Sequence, residues 1–422
     1  MKCRLCKSDN LYKFLDLGYH PHSDQFRKTN DEPETRYPLV LMMCPDCGLA
    51  QLSYNVEKEV MYTEDYLYEA SITDTAGEHW GELADDVIRV SGIKSGKAID
   101  IGGNDGTLSL KFKERGFEVL NIDPCKEVGE ISGDRGVPTI VDFFSSELVE
   151  KSDRIKKADI ITGTNVFAHV HDHDDFVKGL KKIMKTKSVF VFESPYFGEF
   201  LKGLEYDTVY HQHLLYLSLK PVMKFLEKYD LEVFNVSFSE LHGGAFRCYI
   251  ANKGVHTVMP VVKDMADKED WSKKELLAWG EMAKQHAENL FDMCHWIHQQ
   301  GKTICCVSSP AKGMTLLNYT GIGKFIDFIT EKSKLKIGRY TPGTKIKIVG
   351  DDELIKRQPD YALILAWNFK DEIIKNNSEY KGTWIVPLPE VKLYEVRNTQ
   401  GQKGNDKGLN GWGGFLDNSY NV

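Results

Sequence analysis

One stretch, "GKAIDIGGNDGTLSLKFKERGFEVLNIDPC" (residues 96–125), limits what this chain can fold into more than any other. A short apolar run at 98–101 enters a glycine-rich turn. The apolar spacing then predicts an amphipathic helix over 108–115 and a second strand over 117–122. Strand, tight turn, helix and strand make a βαβ unit, which opens a parallel sheet. Farther on, "ADIITGTN" and "KSVFVFES" read as strands, with the helix "DDFVKGLKKIMK" between them. A mostly helical stretch, about 71–90, precedes the unit. The expected fold class is α/β with a doubly wound sheet.

The turn also selects a cofactor. A dinucleotide fingerprint needs G-x-G-x-x-G, but counting from Gly102 the third and sixth places are Asn104 and Thr107. A Walker loop fails as well, because no Gly-Lys closes it. What matches is an acidic residue followed by G-x-x-x-G: Asp100, Gly102 and Gly106. Methyltransferases that use S-adenosylmethionine open their Rossmann-like sheet in this way. Asp123, at the end of the second strand, stands where an acceptor for ribose hydroxyls is needed. Asp142 and Phe143, in "VDFF", come where a carboxylate and an aromatic wall would hold adenine.

Nine cysteines are present, and four fall in two tight pairs, Cys3/Cys6 and Cys44/Cys47. Two C-x-x-C knuckles can converge on one tetrahedral zinc. Four thiolates leave no open position, so the site is expected to be structural. Disulfides are the alternative. The N-terminus has no apolar signal core and no run reaches membrane-spanning length, so a cytoplasmic, reducing setting is expected. A net charge of −8 argues against nucleic acid as the main partner.

Residues 261–300 read as a helical connector. A second α/β unit begins at "GKTICCVSSPAKGMTLLNYTGI", and "DYALILAWN" and "GTWIVPLPE" supply further strands. From about 398 the chain turns Gly- and Asn-rich, as in a flexible tail. The expected division is 1–70 zinc-binding, 71–260 cofactor-binding, 261–300 connector, 301–397 second Rossmann-like domain and 398–422 tail.

In this order, the two C-x-x-C pairs, "DIGGNDG", "NVFAH", "YHQHLLY", "HGGAFR", "PAKGMTLLNY", "GRYTPG", "PDYALILAWN" and "VPLP" resemble a known family. It is the family of sugar C-methyltransferases that use S-adenosylmethionine on nucleotide-linked keto-deoxysugars. The resemblance implies a small N-terminal zinc-binding domain, a Rossmann-like class I methyltransferase domain and a second, C-terminal Rossmann-like domain. It also implies that "VYHQHLLY" is catalytic rather than a polar edge strand, with Tyr210, Gln212 and His213 joined by His169 of "NVFAH". For the sugar nucleotide it points to Asn165, His242, Gly243, Arg247, Lys312, Trp367 and Asn368, and to Tyr66 or Tyr68. Two stretches depart from the family. Gln212 replaces a Glu, and "VSSPAKG" replaces "YGAPAKG". The implied partner is a nucleotide-linked keto-sugar, met by a monomer or weak homodimer.

The chemistry explains these residue types. A proton on the carbon beside a ketone leaves when a base sits at the carbon and donors sit at the oxygen. His213 is the candidate base, and Tyr210 and His169 are candidate donors to the enolate oxygen. An amide at Gln212 can orient an imidazole but cannot raise its basicity as a carboxylate does. Three alternatives fit less of the chain: an O-methyltransferase, an epimerase, or a zinc-containing interaction protein without catalysis. A metal held by His169, His171 and His173 of "HVHDHDD" is a further weak alternative.

Overall fold

The computed structural model describes residues 1–61, 74–239 and 244–395. Tyr66, Tyr68, His242, Gly243 and the extension from 398 lie outside the described residues. By internal contacts the chain divides into two units, each assembled from separate pieces. Unit 1 comprises Met1–Phe14, Leu41–Glu199 and Gln212–Ser272; unit 2 comprises Leu15–Val40, Phe200–His211 and the chain from Lys273 onward.

Unit 1 is organised by a seven-stranded sheet. Its strands in chain order are β1 (Lys97–Ile101), β2 (Glu118–Asp123), β3 (Thr139–Val141), β4 (Ala158–Thr164), β5 (Met184–Pro195), β6 (Leu231–Ser239) and β7 (Ala245–Asn252). They lie side by side as β6-β7-β5-β4-β1-β2-β3. The pairs from β3 to β5 are parallel, while β7 is antiparallel to both β5 and β6. The order reverses between β1 and β4, so the crevice beyond their C-terminal ends is the switch point at which such sheets bind ligands.

The sheet is buried on both faces because its strands alternate. Phe190 and Phe192 of β5 pack with Ile99, Ile101, Phe176 and Leu180 on one side. Val189 and Val191 pack with Ala98, Leu83, Val87 and Phe112 on the other. Helices Asp74–Ser91 and Thr107–Glu114 cover that second side. The β6–β7 hairpin was not foreseen from sequence; it completes the sheet beyond β5. N-terminal to the sheet, the strand Leu49–Leu52 pairs with Arg36–Cys44 and with Leu215–Tyr216.

Unit 2 carries a six-stranded sheet: β8 (Ile304–Val307), β9 (Phe328–Glu331), β10 (Ile348–Gly350), β11 (Tyr361–Ile364), β12 (Thr383–Val386) and β13 (Lys392–Glu395). Their order is β10-β9-β8-β11-β12-β13. Its switch point falls between β8 and β11. The long helix Lys273–Gln299 turns Leu276, Trp279, Ala283, Ala287, Leu290, Cys294 and Ile297 inward, at the three- and four-residue spacing of one helix face.

Candidate functional site

The two knuckles converge. Cys3, Cys6, Cys44 and Cys47 hold their sulfurs within 4.8 Å of one another, and among the described residues they are the only such His, Cys, Asp or Glu group. Cys3–Cys47 and Cys6–Cys44 are each 3.6 Å apart, too long for a disulfide. A tetrahedron with Zn–S bonds of about 2.3 Å has sulfurs at nearly this spacing. The four residues therefore fit zinc. His171 and His173 are spent elsewhere, donating to the carbonyls of Val56 and Phe167. Purified protein should hold about one zinc per chain. Cys44→Ser should lower both that ratio and the melting temperature, as elemental analysis and calorimetry would show; a well-folded, metal-free parent would contradict this.

At the switch point of unit 1, Asp100 is buried at the end of β1 and accepts from Thr162 Oγ1 of β4 at 2.7 Å. Burial pushes its pKa up to about 7. Its second oxygen, and Oδ1 of buried Asn121, have no donor among the described residues. Both border Gly103, where a Cβ would lie 2.5 Å from the first and 2.4 Å from the second. Two buried acceptors without donors carry a cost that a ligand ammonium group removes. The residues thus fit S-adenosylmethionine, whose amino-acid end bears such a group. Gly102, at φ 64°, is glycine for an internal reason: a Cβ there would strike Val166 at 2.3 Å. Gly106 opens the helix Thr107–Glu114 in the same left-handed region.

Asp123 is buried, and its carboxylate accepts from the amides of Asn104 and Cys125, each at 2.9 Å. It ties the glycine turn to β2. Asp142 is exposed just past β3, and Phe143 beside it carries the Lys58 ammonium 4.5 Å from its ring centre. Phe144 turns instead to the core against Phe176. Asp123→Ala should weaken binding of S-adenosylhomocysteine by about 1.5–3 kcal/mol, roughly tenfold to a hundredfold or more, with the fold retained. Titration calorimetry measures this, and an unchanged affinity would refute it.

Beyond β4, Asn165 takes a left-handed φ of 54° and donates its amide to Glu193 O at 2.8 Å. The next turn, Phe167–His169, delivers His169. Its ring meets that of His213 edge-on, with centroids 5.0 Å apart. Burial of the His169 ring, with His171 close by, brings its pKa down to about 4, so it is neutral at physiological pH. His213 is half-buried, and Gln212 is buried. Tyr210 is half-buried in unit 2.

Arg247 lies on β7 opposite Glu193 and is already engaged. Its Nε donates to Glu193 at 2.9 Å and its Nη1 to Asp86 at 2.9 Å. His79 donates to the other Glu193 oxygen at 2.7 Å. Burial would push the Glu193 pKa up, but His79 and the Arg247 charge outweigh it and hold it below the ordinary value. The arrangement gives Arg247 an internal task, pinning the helix Asp74–Ser91 to the sheet.

At the unit 2 switch point, Lys312 stands in the first turn of the helix Ala311–Thr320. It donates to Asn368 Oδ1 at 2.5 Å and lies 4.0 Å from the Trp367 ring centre. Trp367 Nε1 donates to buried Asp207 at 2.7 Å. Burial raises the Asp207 pKa to about 6, against the pull of the Lys312 charge. The three expected residues come together, around an acid that sequence reading passed over. Thr162, Asn121 and Val166 were also missed. A polar Asn inside the apolar strand "VLNID" was the visible signal for one of them.

Three family profiles match in succession: "Putative zinc binding domain" over 3–62, "Methyltransferase domain" over 77–236 and "C-methyltransferase C-terminal domain" over 240–389. The C-methyltransferase NovU of Streptomyces niveus is 29% identical over 414 residues, covering 94% of this chain and 98% of the relative. Among solved structures, an S-adenosylmethionine-dependent methyltransferase of Clostridium acetobutylicum covers 44% of this chain and 94% of its own, at 12% identity and a TM-score of 0.34. One from Leishmania major covers 46% and 81%, at 13% identity and a TM-score of 0.37.

Proposed function

We propose, since this chain belongs to the S-adenosylmethionine-dependent C-methyltransferases built from a zinc-binding, a methyltransferase and a C-terminal module, that its substrate is a nucleotide-linked 4-keto-deoxysugar methylated at C3. The observation that carries this reading is the edge-on pair of His169 and His213, with His169 on the turn after β4 that begins at Val166, the residue packed against Gly102. Two imidazoles, one of them neutral by burial, suit removal of a carbon-bound proton and support of the oxyanion it creates.

In this reading His213 takes the proton from the carbon beside the ketone. His169, uncharged, donates one N–H toward the enolate oxygen, and the Tyr210 hydroxyl is a second donor. Gln212 orients a neighbouring imidazole without adding charge. S-adenosylmethionine, when bound, supplies an electrophilic methyl. The four-cysteine zinc takes no part in this chemistry, because its ligands fill the tetrahedron. Asn165 is proposed to face the sugar. Lys312 and Asn368, at the second switch point, are proposed to meet the nucleotide end.

Incubation with S-adenosylmethionine and a panel of nucleotide-linked keto-deoxysugars, read by mass spectrometry and NMR of the product, tests the proposal. A methyl on carbon beside the ketone is expected. A methyl on oxygen, or an epimer without methyl, would refute it.

A further inference from the structure

The segment 200–211, which leads into "YHQH", is fastened within unit 2 at four successive points. Trp279 Nε1 donates to Leu201 O at 2.8 Å. The Tyr206 hydroxyl donates to His286 Nδ1 at 2.9 Å, and His286 Nε2 donates onward to Pro387 O at 2.7 Å. Trp367 Nε1 holds Asp207, and Thr315 Oγ1 donates to Val209 O at 2.9 Å. Tyr206, Asp207, Val209 and Thr315 are all buried, whereas Tyr210 is half-buried.

The last bond is unusual for its helix. A helical Thr commonly spends its hydroxyl on the carbonyl four residues back, as Thr320 does with Leu316 at 2.7 Å. Thr315, on the same helix, gives its hydroxyl to Val209 instead. The Val209 carbonyl shares a rigid peptide plane with the Tyr210 nitrogen. Holding that oxygen therefore fixes the line of the Tyr210 N–Cα bond, about which its side chain is placed.

We propose that Thr315, with Trp367 acting through Asp207, fixes the backbone that carries Tyr210 and so positions that side chain for the reaction. This inference rests on Tyr210 being a donor to the enolate. Trp367 then works as a positioning residue through its indole N–H.

The test uses the full chain and the keto-sugar of the panel that the parent methylates fastest. Thr315→Val keeps the shape and removes the donor. It should lower kcat roughly tenfold to a hundredfold, as small misplacements of a catalytic group do, with KM for the sugar nearly unchanged. Thr315→Ser should restore most of the rate. Combined with Tyr210→Phe, Thr315→Val should add little further loss, because both act through one hydroxyl. Should Thr315→Val not fold, Trp367→Phe, combined likewise with Tyr210→Phe, replaces it. Losses that multiply in the double variant, or a folded Thr315→Val with parental kcat, would overturn the inference. A Tyr210→Phe enzyme as fast as the parent would instead remove its premise, and the positioning role with it.

Discussion

His213→Ala should lose both methyl transfer and proton exchange at carbon. In heavy water, with S-adenosylhomocysteine in place of S-adenosylmethionine, the parent should put deuterium beside the ketone of its keto-sugar. Removing the base should slow that exchange by about 10²–10⁴-fold, the usual worth of a positioned general base. Tyr210→Phe should slow exchange and methylation together, because one lost oxyanion donor costs roughly 3 kcal/mol. Gln212→Glu should remain active, since a carboxylate can only strengthen a neighbouring imidazole as a base. The pH profile offers a further check. His169, with its pKa near 4, stays neutral through the working range and cannot supply a limb near pH 6–7. A folded His213→Ala enzyme that exchanges and methylates like the parent would end the assignment. Exchange without any methylation by the parent would point to an epimerase.

The parts that could be read in sequence are those whose determinants are local. The glycine turn, its flanking strands and the following helix need only a few consecutive residues, and each lies within a residue or two of its expected place. The cysteine knuckles are also local, and a tetrahedral ion dictates how the two must meet. What stayed hidden depends on pairing across long separations. The β6–β7 hairpin adds antiparallel strands to a parallel sheet, and no turn signal shows which edge it joins. The resemblance points Arg247 at the sugar nucleotide, whereas its bonds run within the fold. Its partners Glu193 and Asp86, and the His79 that shares Glu193, come from strands and helices far away. Of "VYHQHLLY", only Leu215–Tyr216 is strand, and it pairs with Leu49–Leu52 from far away in the sequence.

Acid should unfold this protein well above the ordinary carboxylate range. His20, His22, His173 and His211 are all buried, and in each case burial is the main cause that lowers the pKa from 6.5 to about 4. The unfolded chain therefore binds protons between pH 6.5 and 4 that the folded chain refuses. Stability is full above that window and is lost as the pH falls through it. Each histidine is worth roughly 3 kcal/mol over the whole window. Asp100 and Asp207 act in the opposite sense: their raised pKa values, about 7 and about 6, let the folded state take up protons first. With His169, whose pKa burial also lowers to about 4, five sites against two leave about three protons, or roughly 4 kcal/mol lost per pH unit. Total stabilities of about 5–15 kcal/mol cannot absorb that for long. The urea midpoint, followed by tryptophan fluorescence, should hold steady above about pH 7 and fall steeply between pH 6.5 and 5. Neither ring nitrogen of His22 has a partner among the described residues, so His22→Leu costs no hydrogen bond. It should flatten the slope by about one proton without lowering stability at pH 8. A midpoint unchanged down to pH 5 would show that these imidazoles reach water when charged.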